Sequence, residues 1–176
     1  MRYHDITKDD MLNGSGLRVV LWLSGCSHRC YNCQNPQTWD VNSGIEFDEE
    51  AEKELFEALN NEYISGITLS GGDPLHENNL DGVLKLVNKI HLLLSHKNIW
   101  LYTGYTWEDI MCTKMPSSKQ NELRKEIVSK VDVLVDGSYK DEKRDVSLKW
   151  IGSSNQRVID TNKSLEKGDV VLWDTN

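Results

Sequence analysis

The chain lacks any long apolar run. Nowhere do about 18 apolar residues follow one another, the length typical of a membrane-spanning helix. Residues 1–5 also lack the apolar core of a secretory signal. The sequence therefore predicts a cytoplasmic protein with no membrane partner.

Positive charge is scarce as well, because 20 Lys and Arg residues stand against 28 Asp and Glu residues and give a net charge of −8. Proteins that bind nucleic acids normally present a basic face to the phosphates. We therefore expect no nucleic acid partner. The composition does not shift along the 176 residues, so a single domain over residues 1–176 is expected.

Cysteine is rare, yet three of the four cysteines lie within eight residues, as Cys26, Cys30 and Cys33. A C-x3-C-x2-C spacing lets one short loop bind three irons of a [4Fe–4S] cluster and leaves the fourth iron without a protein ligand. That iron is then free to bind an exogenous ligand. The spacing therefore predicts a reactive cluster.

A structural zinc site is the alternative interpretation, with His28 or a distant side chain as the fourth ligand. His28 lies inside the cysteine loop itself, and no second C-x2-C or H-x3-H pair follows it. Unreactive buried thiols are a third interpretation, although three in one loop would be a poor use of small apolar residues. Cys112 stands alone, and we expect it to be a free thiol on a helix.

Short apolar runs alternate with amphipathic segments along the chain. Strands are predicted at residues 17–23, 67–70, 98–102 and 131–135. Helices are predicted at residues 48–63 and 80–94, and two more begin near Thr106 and Ser117, each followed three residues later by a capping partner. Four βα units in succession favour an α/β fold with a largely parallel sheet and helices outside. Because 176 residues fall short of the roughly 250 of a full barrel, we expect an incomplete (βα) barrel.

Four motifs follow the predicted strand ends: the cysteine loop and residues 71–74, 103–105 and 136–137. The C-terminal ends of parallel strands meet at one edge of a sheet, so these motifs should share one rim. Gly71 and Gly72 offer backbone without side chains, which lets main-chain groups approach a small polar ligand. A plain tight turn is the alternative. The position beside the cysteine loop favours the ligand site.

Together, the cysteine loop and the glycine motif resemble those of radical S-adenosylmethionine enzymes. More narrowly, the chain is similar to the family of activating proteins of anaerobic, class III ribonucleoside-triphosphate reductases. The similar segments keep the same order along nearly the whole chain, at residues 13–18, 26–33, 35–39, 69–75, 100–105, 133–137 and 152–158. The chain departs from the wider superfamily at Asp73, where Glu is frequent, and at Asn32, where an aromatic residue is frequent.

The resemblance implies a radical S-adenosylmethionine domain in which the three clustered cysteines bind a [4Fe–4S] cluster and S-adenosylmethionine chelates the open iron. Cluster and cofactor carry the chemistry, so no catalytic acid or base is implied. The contacts that it implies for S-adenosylmethionine are Asn32, Gly71, Gly72, Asp73, Thr103 and Gly104.

The implied reaction is reductive cleavage of S-adenosylmethionine to methionine and a 5′-deoxyadenosyl radical, which takes a hydrogen atom from a backbone glycine of the large reductase subunit. The implied partners are that subunit and an electron donor such as flavodoxin. Three alternatives stay open: an activase of a different glycyl-radical enzyme, a small radical enzyme acting on a metabolite such as a deazapurine precursor, and a zinc-stabilised binding module.

Several other residues have two interpretations. His28 either tunes the cluster by hydrogen bonding or faces solvent. Trp100 and Tyr102 are expected mainly in the core, and Tyr105 is the best aromatic candidate for a cavity wall. Arg18 lies in a predicted buried strand, so we expect it to reach the sheet edge or to pair with a carboxylate or a ligand.

Overall fold

A seven-stranded mixed sheet forms the centre of the protein, with the strand order β3-β1-β2-β4-β5-β6-β7. The computed structural model describes residues 1–111 and 118–174. The strands are β1 (Arg2–Asp10), β2 (Arg18–Leu23), β3 (Ile45–Glu46), β4 (Gly66–Gly71), β5 (Asn98–Tyr102), β6 (Val133–Asp136) and β7 (Arg157–Asp160). The helices are α1 (Glu49–Leu59), α2 (Leu80–Leu93), α3 (Trp107–Met111), α4 (Lys119–Val128) and α5 (Thr161–Lys167). Short 3-10 turns lie at Pro36–Thr38 and Asp141–Lys143.

The four predicted strands are β2, β4, β5 and β6, and they pair in parallel as expected. The three other strands were not predicted. All three run antiparallel to a neighbour: β1 to β2, β3 to β1 and β7 to β6. The sequence of β1 is strongly polar, and only Tyr3 and Ile6 are buried along it, so its apolar periodicity is weak.

The two faces of the sheet differ in what covers them. Leu21, Leu69 and Leu101 point to the face on which α1 to α4 pack, and they share one apolar core with those helices. The opposite face carries a smaller cluster around Trp100 and Val135, closed by Trp150 and Trp173. Helices α1 to α4 therefore cover one face of the sheet, and the candidate site lies on the opposite face.

Two helix starts agree with the sequence. The Oδ1 atom of Asp48 accepts a hydrogen bond of 2.9 Å from the Ala51 amide and caps α1, although α1 ends at Leu59 rather than at residue 63. Thr106 and Asp109 form the expected reciprocal box, with bonds of 3.0 and 3.2 Å.

The start of α4 differs from the prediction. The cap of α4 is Ser118, whose hydroxyl accepts a hydrogen bond of 3.1 Å from the Asn121 amide, and not Ser117 with Gln120. Ser117 and Cys112 lie outside the described residues. A predicted cap one residue off leaves the helix itself correctly placed.

The prediction of four βα units is wrong at the fourth unit. No α-helix follows β6 directly; residues 138–156 form an irregular segment with one 3-10 turn, and the antiparallel strand β7 comes next. Asp136, at the end of β6, anchors the start of β7. Its buried carboxylate accepts a hydrogen bond of 2.8 Å from the Trp107 amide and one of 3.0 Å from Arg157 Nε. Residues 138–156 therefore lie over the face of the sheet that carries Trp100 and Val135, and not over the face that α1 to α4 cover.

Arg18 does not reach the sheet edge or pair with a carboxylate, contrary to the expectation. It is fully buried and donates to neutral oxygens: to the Thr68 hydroxyl at 2.8 Å, to the Asn98 side chain at 2.7 Å and to the Ile67 carbonyl at 2.6 Å. Burial lowers the pKa of Arg18 to about 10. Arg18 thus joins the β1–β2 connection to β4 and β5.

Within the described ranges, no helix is both long and apolar enough to cross a membrane.

Candidate iron–sulfur site

A cavity of about 460 Å³ opens at the C-terminal ends of the parallel strands. All three clustered cysteines line it, together with four of the six predicted cofactor contacts, namely Gly71, Gly72, Thr103 and Gly104. The two remaining predicted contacts, Asn32 and Asp73, are not among the lining residues. Gly137 lines it as well, so the expected common rim exists and brings all four motifs together.

The cysteine loop is held at both of its ends. Gly25 has a positive φ of 97°, and its amide donates to the Thr38 carbonyl at 2.7 Å. Cys26 continues this pairing with a bond of 3.1 Å to the Trp39 carbonyl. Within the loop, Arg29 and Asn32 have positive φ values of 47° and 54°, which reverse the chain twice in a few residues. Such reversals turn all three cysteines toward one cavity.

The surroundings of the thiols fit thiolate ligation of a cluster. Burial raises the pKa of Cys26, and the backbone amides of His28 and Arg29 act against that rise. Burial also raises the pKa of Cys30, where the Tyr139 amide acts in the opposite direction. The Asn35 amide donates to Cys33 Sγ at 3.4 Å. Amide groups directed at sulfur stabilise thiolates, which are the form that binds iron.

The spacing of the ligands also distinguishes a cluster from a single ion. Among the described residues, no three Cys, His, Asp or Glu side chains converge closely enough to hold one metal ion. A cubane binds each thiolate at a different iron and so keeps the sulfurs farther apart than a tetrahedral zinc site does. The three half-buried cysteines around one cavity fit the cluster better.

The glycine motif lies against the start of the cysteine loop through two backbone hydrogen bonds. The Gly72 amide donates to the Leu23 carbonyl, and the Asp73 amide donates to the Gly25 carbonyl, both at 2.7 Å. A Cβ atom on Gly72 would lie 2.5 Å from the Gly25 oxygen, so no side chain fits there. Residue 71 has a φ of 101°, a backbone conformation that favours glycine. The close approach therefore explains the glycine pair physically.

Asp73 joins two of the rim loops and is almost fully buried. Its carboxylate accepts hydrogen bonds from the Thr103 hydroxyl at 2.9 and 3.0 Å, from the Gly104 amide at 3.1 Å and from the Leu75 amide at 2.8 Å. These bonds fix the 103–105 turn against the glycine motif. By contrast, Asn32 is exposed, and its side chain donates to Asp141 at 3.1 Å outside the cavity.

His28 belongs to the site, and sequence reasoning left it out. Its side chain is 19% exposed, and its Nε2 lies 2.9 Å from Asp73 Oδ2 without making a well-aligned hydrogen bond to any described residue. The ring meets Tyr105 edge to face at 4.6 Å and occupies the space where Gly104 would carry a Cβ. In the sequence, only the place of His28 between Cys26 and Cys30 indicated a role at the site, and that place also fits a solvent-exposed side chain.

Tyr102 and Trp22 are the aromatic residues of the central strands that line the cavity, and Tyr105 does not line it. Tyr105 packs away from the cavity, with the Arg124 guanidinium 4.5 Å from its ring. The alternation of each strand could have indicated this, because residues 22, 70 and 102 point to the face opposite the leucines beside them. Trp100 is a core residue, as expected.

Residues 138–156 supply the remaining wall, which the sequence did not predict. Tyr139, Leu148, Trp150, Ile151 and Gln156 line the cavity from this segment and its end. Gln156 shapes the turn, since its side-chain oxygen accepts the Gly152 amide at 3.0 Å and its side-chain nitrogen donates to the Gly137 carbonyl at 3.0 Å. No periodic pattern marks such an irregular segment.

A mixed α/β sheet with a three-cysteine loop at the C-terminal ends of its parallel central strands defines an iron–sulfur cluster domain, and residues 12–159 match the family described as a 4Fe-4S single cluster domain. The chain is 41% identical over 160 residues to the anaerobic ribonucleoside-triphosphate reductase-activating proteins of Escherichia coli K12 and Salmonella typhimurium LT2, covering 90% of this chain and 97% of each relative. The protein of that name from Enterobacteria phage T4 is 40% identical over 169 residues, covering 96% of this chain and all of the relative. The chain belongs to this family of activating proteins.

As a member of that family, the protein is an enzyme whose cofactors are a [4Fe–4S] cluster and S-adenosylmethionine, as predicted. The expected [4Fe–4S] cofactor is confirmed, and the match favours a cluster over zinc. The assignment of Cys26, Cys30 and Cys33 as its ligands stays a prediction.

Proposed function

We propose that the protein activates an anaerobic ribonucleoside-triphosphate reductase by generating a glycyl radical on its large subunit. The observation that carries this proposal is the single cavity that joins the three cysteines to the glycine motif, in a chain similar to activating proteins along 90% of its length. When bound, the reduced cluster and S-adenosylmethionine supply a 5′-deoxyadenosyl radical that takes one hydrogen atom from a glycine Cα, with methionine and 5′-deoxyadenosine as the other products.

The chain's own residues bind and orient these groups. Cys26, Cys30 and Cys33 would hold three irons. Gly71 and Gly72 would present main-chain groups to the amino end of S-adenosylmethionine, since neither can be replaced by a larger residue without a clash.

The 103–104 turn completes the cofactor contacts in this proposal. Thr103 and Gly104 face the cavity from the end of β5. Asp73 acts by holding that turn with its carboxylate, and Asn32 acts through its left-handed conformation in the cysteine loop. Because the hydrogen bonds from Asp73 already hold the 103–104 turn in the folded chain, this turn needs little further ordering when the cofactor binds.

Five broader expectations belong to the same proposal. Residues 1–176 would form one radical S-adenosylmethionine domain, and its sheet would correspond to an incomplete barrel whose open side is covered by residues 138–156. The large reductase subunit would dock at that side, and a donor such as flavodoxin would reduce the cluster. The proposed place of action is the cytoplasm, where thiolate-bound clusters are not exposed to an oxidising environment.

The proposal is tested with cluster-loaded protein, a reductant, S-adenosylmethionine and the large reductase subunit under anaerobic conditions. A glycyl radical signal on the reductase is expected, together with one 5′-deoxyadenosine for each radical formed. A reductase whose target glycine is replaced by alanine is the matched control and should give no such signal. Turnover of a small metabolite without any partner protein, and no radical on the reductase, would contradict the proposal and favour a different radical enzyme.

A further inference from the structure

Tyr102 lies in the floor of the cavity, next to the strand ends. Trp22 pairs with Ser70 across β2 and β4, and Tyr102 pairs with Val135 across β5 and β6, so these residues point to the same face of the sheet. The 69–101 pairing places Ser70 beside Tyr102. The cavity therefore continues from the cysteine loop onto an aromatic part of the sheet.

The Tyr102 hydroxyl is buried and has no hydrogen-bond partner within residues 1–111 and 118–174. The charged groups that act on this phenol are Arg18 and Asp10, and burial raises the pKa of Tyr102 so that it stays protonated. Arg18 and Asp10 lie opposite each other in the register of β1 and β2, at the start of β2, which is the strand end opposite to the cysteine loop. The phenol therefore interacts with charged groups that belong to the strand end opposite to the three cysteines.

The part of the cavity farther from the cysteine loop is lined mainly by apolar side chains. Its lining residues, which we name the distal chamber, are Leu12, Trp22, Tyr102, Leu148, Trp150 and Ile151. Leu12 is 80% exposed although it lines the cavity, and the neighbouring Met11 is also exposed. Exposed apolar residues that continue into a cavity are typical of a surface that another molecule covers.

We propose that the distal chamber seats the backbone segment that carries the target glycine of the large reductase subunit, and that the Tyr102 hydroxyl hydrogen-bonds to a peptide group of that segment. This inference rests on the proposed function. A glycine offers no side chain to recognise, so its segment must be held through peptide groups and apolar contacts. A phenol suits this purpose because it both donates and accepts a hydrogen bond.

The position of the hydroxyl favours the peptide over S-adenosylmethionine as its partner. The amino and carboxylate groups of the cofactor would lie at the open iron and the glycine motif, at the cysteine end of the cavity. A segment that enters past Leu12 meets Tyr102 from the other end. The target carbon would then lie between the two ends, within reach of the radical.

The test compares Tyr102→Phe with wild-type protein, both cluster-loaded, in binding to the purified large reductase subunit. Loss of one neutral hydrogen bond should weaken binding about two- to ten-fold. The melting temperature should stay unchanged or rise, because the hydroxyl that is removed is buried without a partner. Affinity for S-adenosylmethionine should stay within about two-fold of the wild type. Tyr63→Phe, at a tyrosine that is 58% exposed, is the matched control and should change neither affinity.

A second pair of variants tests the mouth of the chamber. Leu12→Asp should weaken reductase binding by about ten-fold or more, because an apolar side chain is lost from the interface. Leu92→Asp places the same change at an equally exposed leucine on α2 and should have no effect.

Equal reductase binding by Tyr102→Phe and the wild type would overturn the inference alone, as would a larger loss of S-adenosylmethionine affinity than of reductase affinity. Wild-type protein that forms no radical on the reductase would instead overturn the proposed function. The two failures are therefore distinguishable.

Discussion

Replacing Gly72 by alanine perturbs the contact between the glycine motif and the cysteine loop more directly than any other single change. Its added Cβ would lie 2.5 Å from the Gly25 oxygen and 2.9 and 3.0 Å from the Gly25 carbonyl carbon and nitrogen. All three are backbone atoms, so relief requires movement of one chain segment. Gly72 does not have a positive φ, so the effect comes from the clash and not from backbone strain.

The expected loss follows from overpacking and from the two bonds that would lengthen. Overpacking costs about 1–3 kcal/mol, and the bonds at risk are those to the Leu23 and Gly25 carbonyls. For a domain of this size, each kcal/mol lowers the melting temperature by about 2–4 °C. Gly25 precedes Cys26 directly, so the displacement also moves the first cluster ligand.

Thermal unfolding of the cluster-free protein measures the first effect, and iron and sulfide content after anaerobic reconstitution measures the second. Gly152→Ala is the matched control, because its Cβ would meet side-chain atoms and no backbone: ring atoms of Tyr139 at 3.2 and 3.3 Å and the Gln156 side-chain oxygen at 3.8 Å. Wild-type melting and full cluster uptake by Gly72→Ala would refute the close approach of the two loops.

Three further changes have defined outcomes. Alanine at any one of the clustered cysteines should abolish cluster assembly, whereas Cys112→Ala should retain full iron and sulfide content; loss of iron in the Cys112 variant would contradict the ligand assignment. Arg157→Gln should lower the free energy of unfolding in urea by up to about 3 kcal/mol, because the buried Asp136 carboxylate loses its cation, and the partial exposure of Arg157 keeps the loss below that of a fully buried pair. Gly104→Ala should weaken S-adenosylmethionine binding by displacing the His28 ring, and adding His28→Ala should restore part of the affinity; a double variant as weak as the single one would exclude that clash as the cause.

The parallel centre of the fold was predictable because its strands carry strong apolar patterns. Val19 and Leu21 belong to a nearly continuous apolar run that marks a buried strand, and α1 begins at a carboxylate cap that the sequence makes visible. The edge strand β1 was not predictable in the same way. Most of its residues are polar, and its place is determined by pairing with β2 rather than by its own periodicity.

The positions of the cysteine loop and the glycine motif were predictable, because chain order alone places them at one edge of the sheet. The cavity wall formed by residues 138–156 was not predictable. Trp150 and Gln156 reach the cavity only because residues 138–156 lie across the sheet, a path set by the tertiary contact between Arg157 and Asp136. His28 was missed for a related reason, since its environment is created by Gly104 on a distant strand end.

We propose that Cys26, Cys30 and Cys33 hold a [4Fe–4S] cluster with one iron open to S-adenosylmethionine. The most direct measurement is an electron paramagnetic resonance spectrum of the reduced, anaerobically reconstituted protein, recorded with and without S-adenosylmethionine. We expect a reduced-cluster signal that changes shape when the cofactor is added, and the loss of this signal in the Cys30→Ser variant. A reduced-cluster signal that is identical in both spectra, or a protein that retains zinc and no iron, would contradict this proposal.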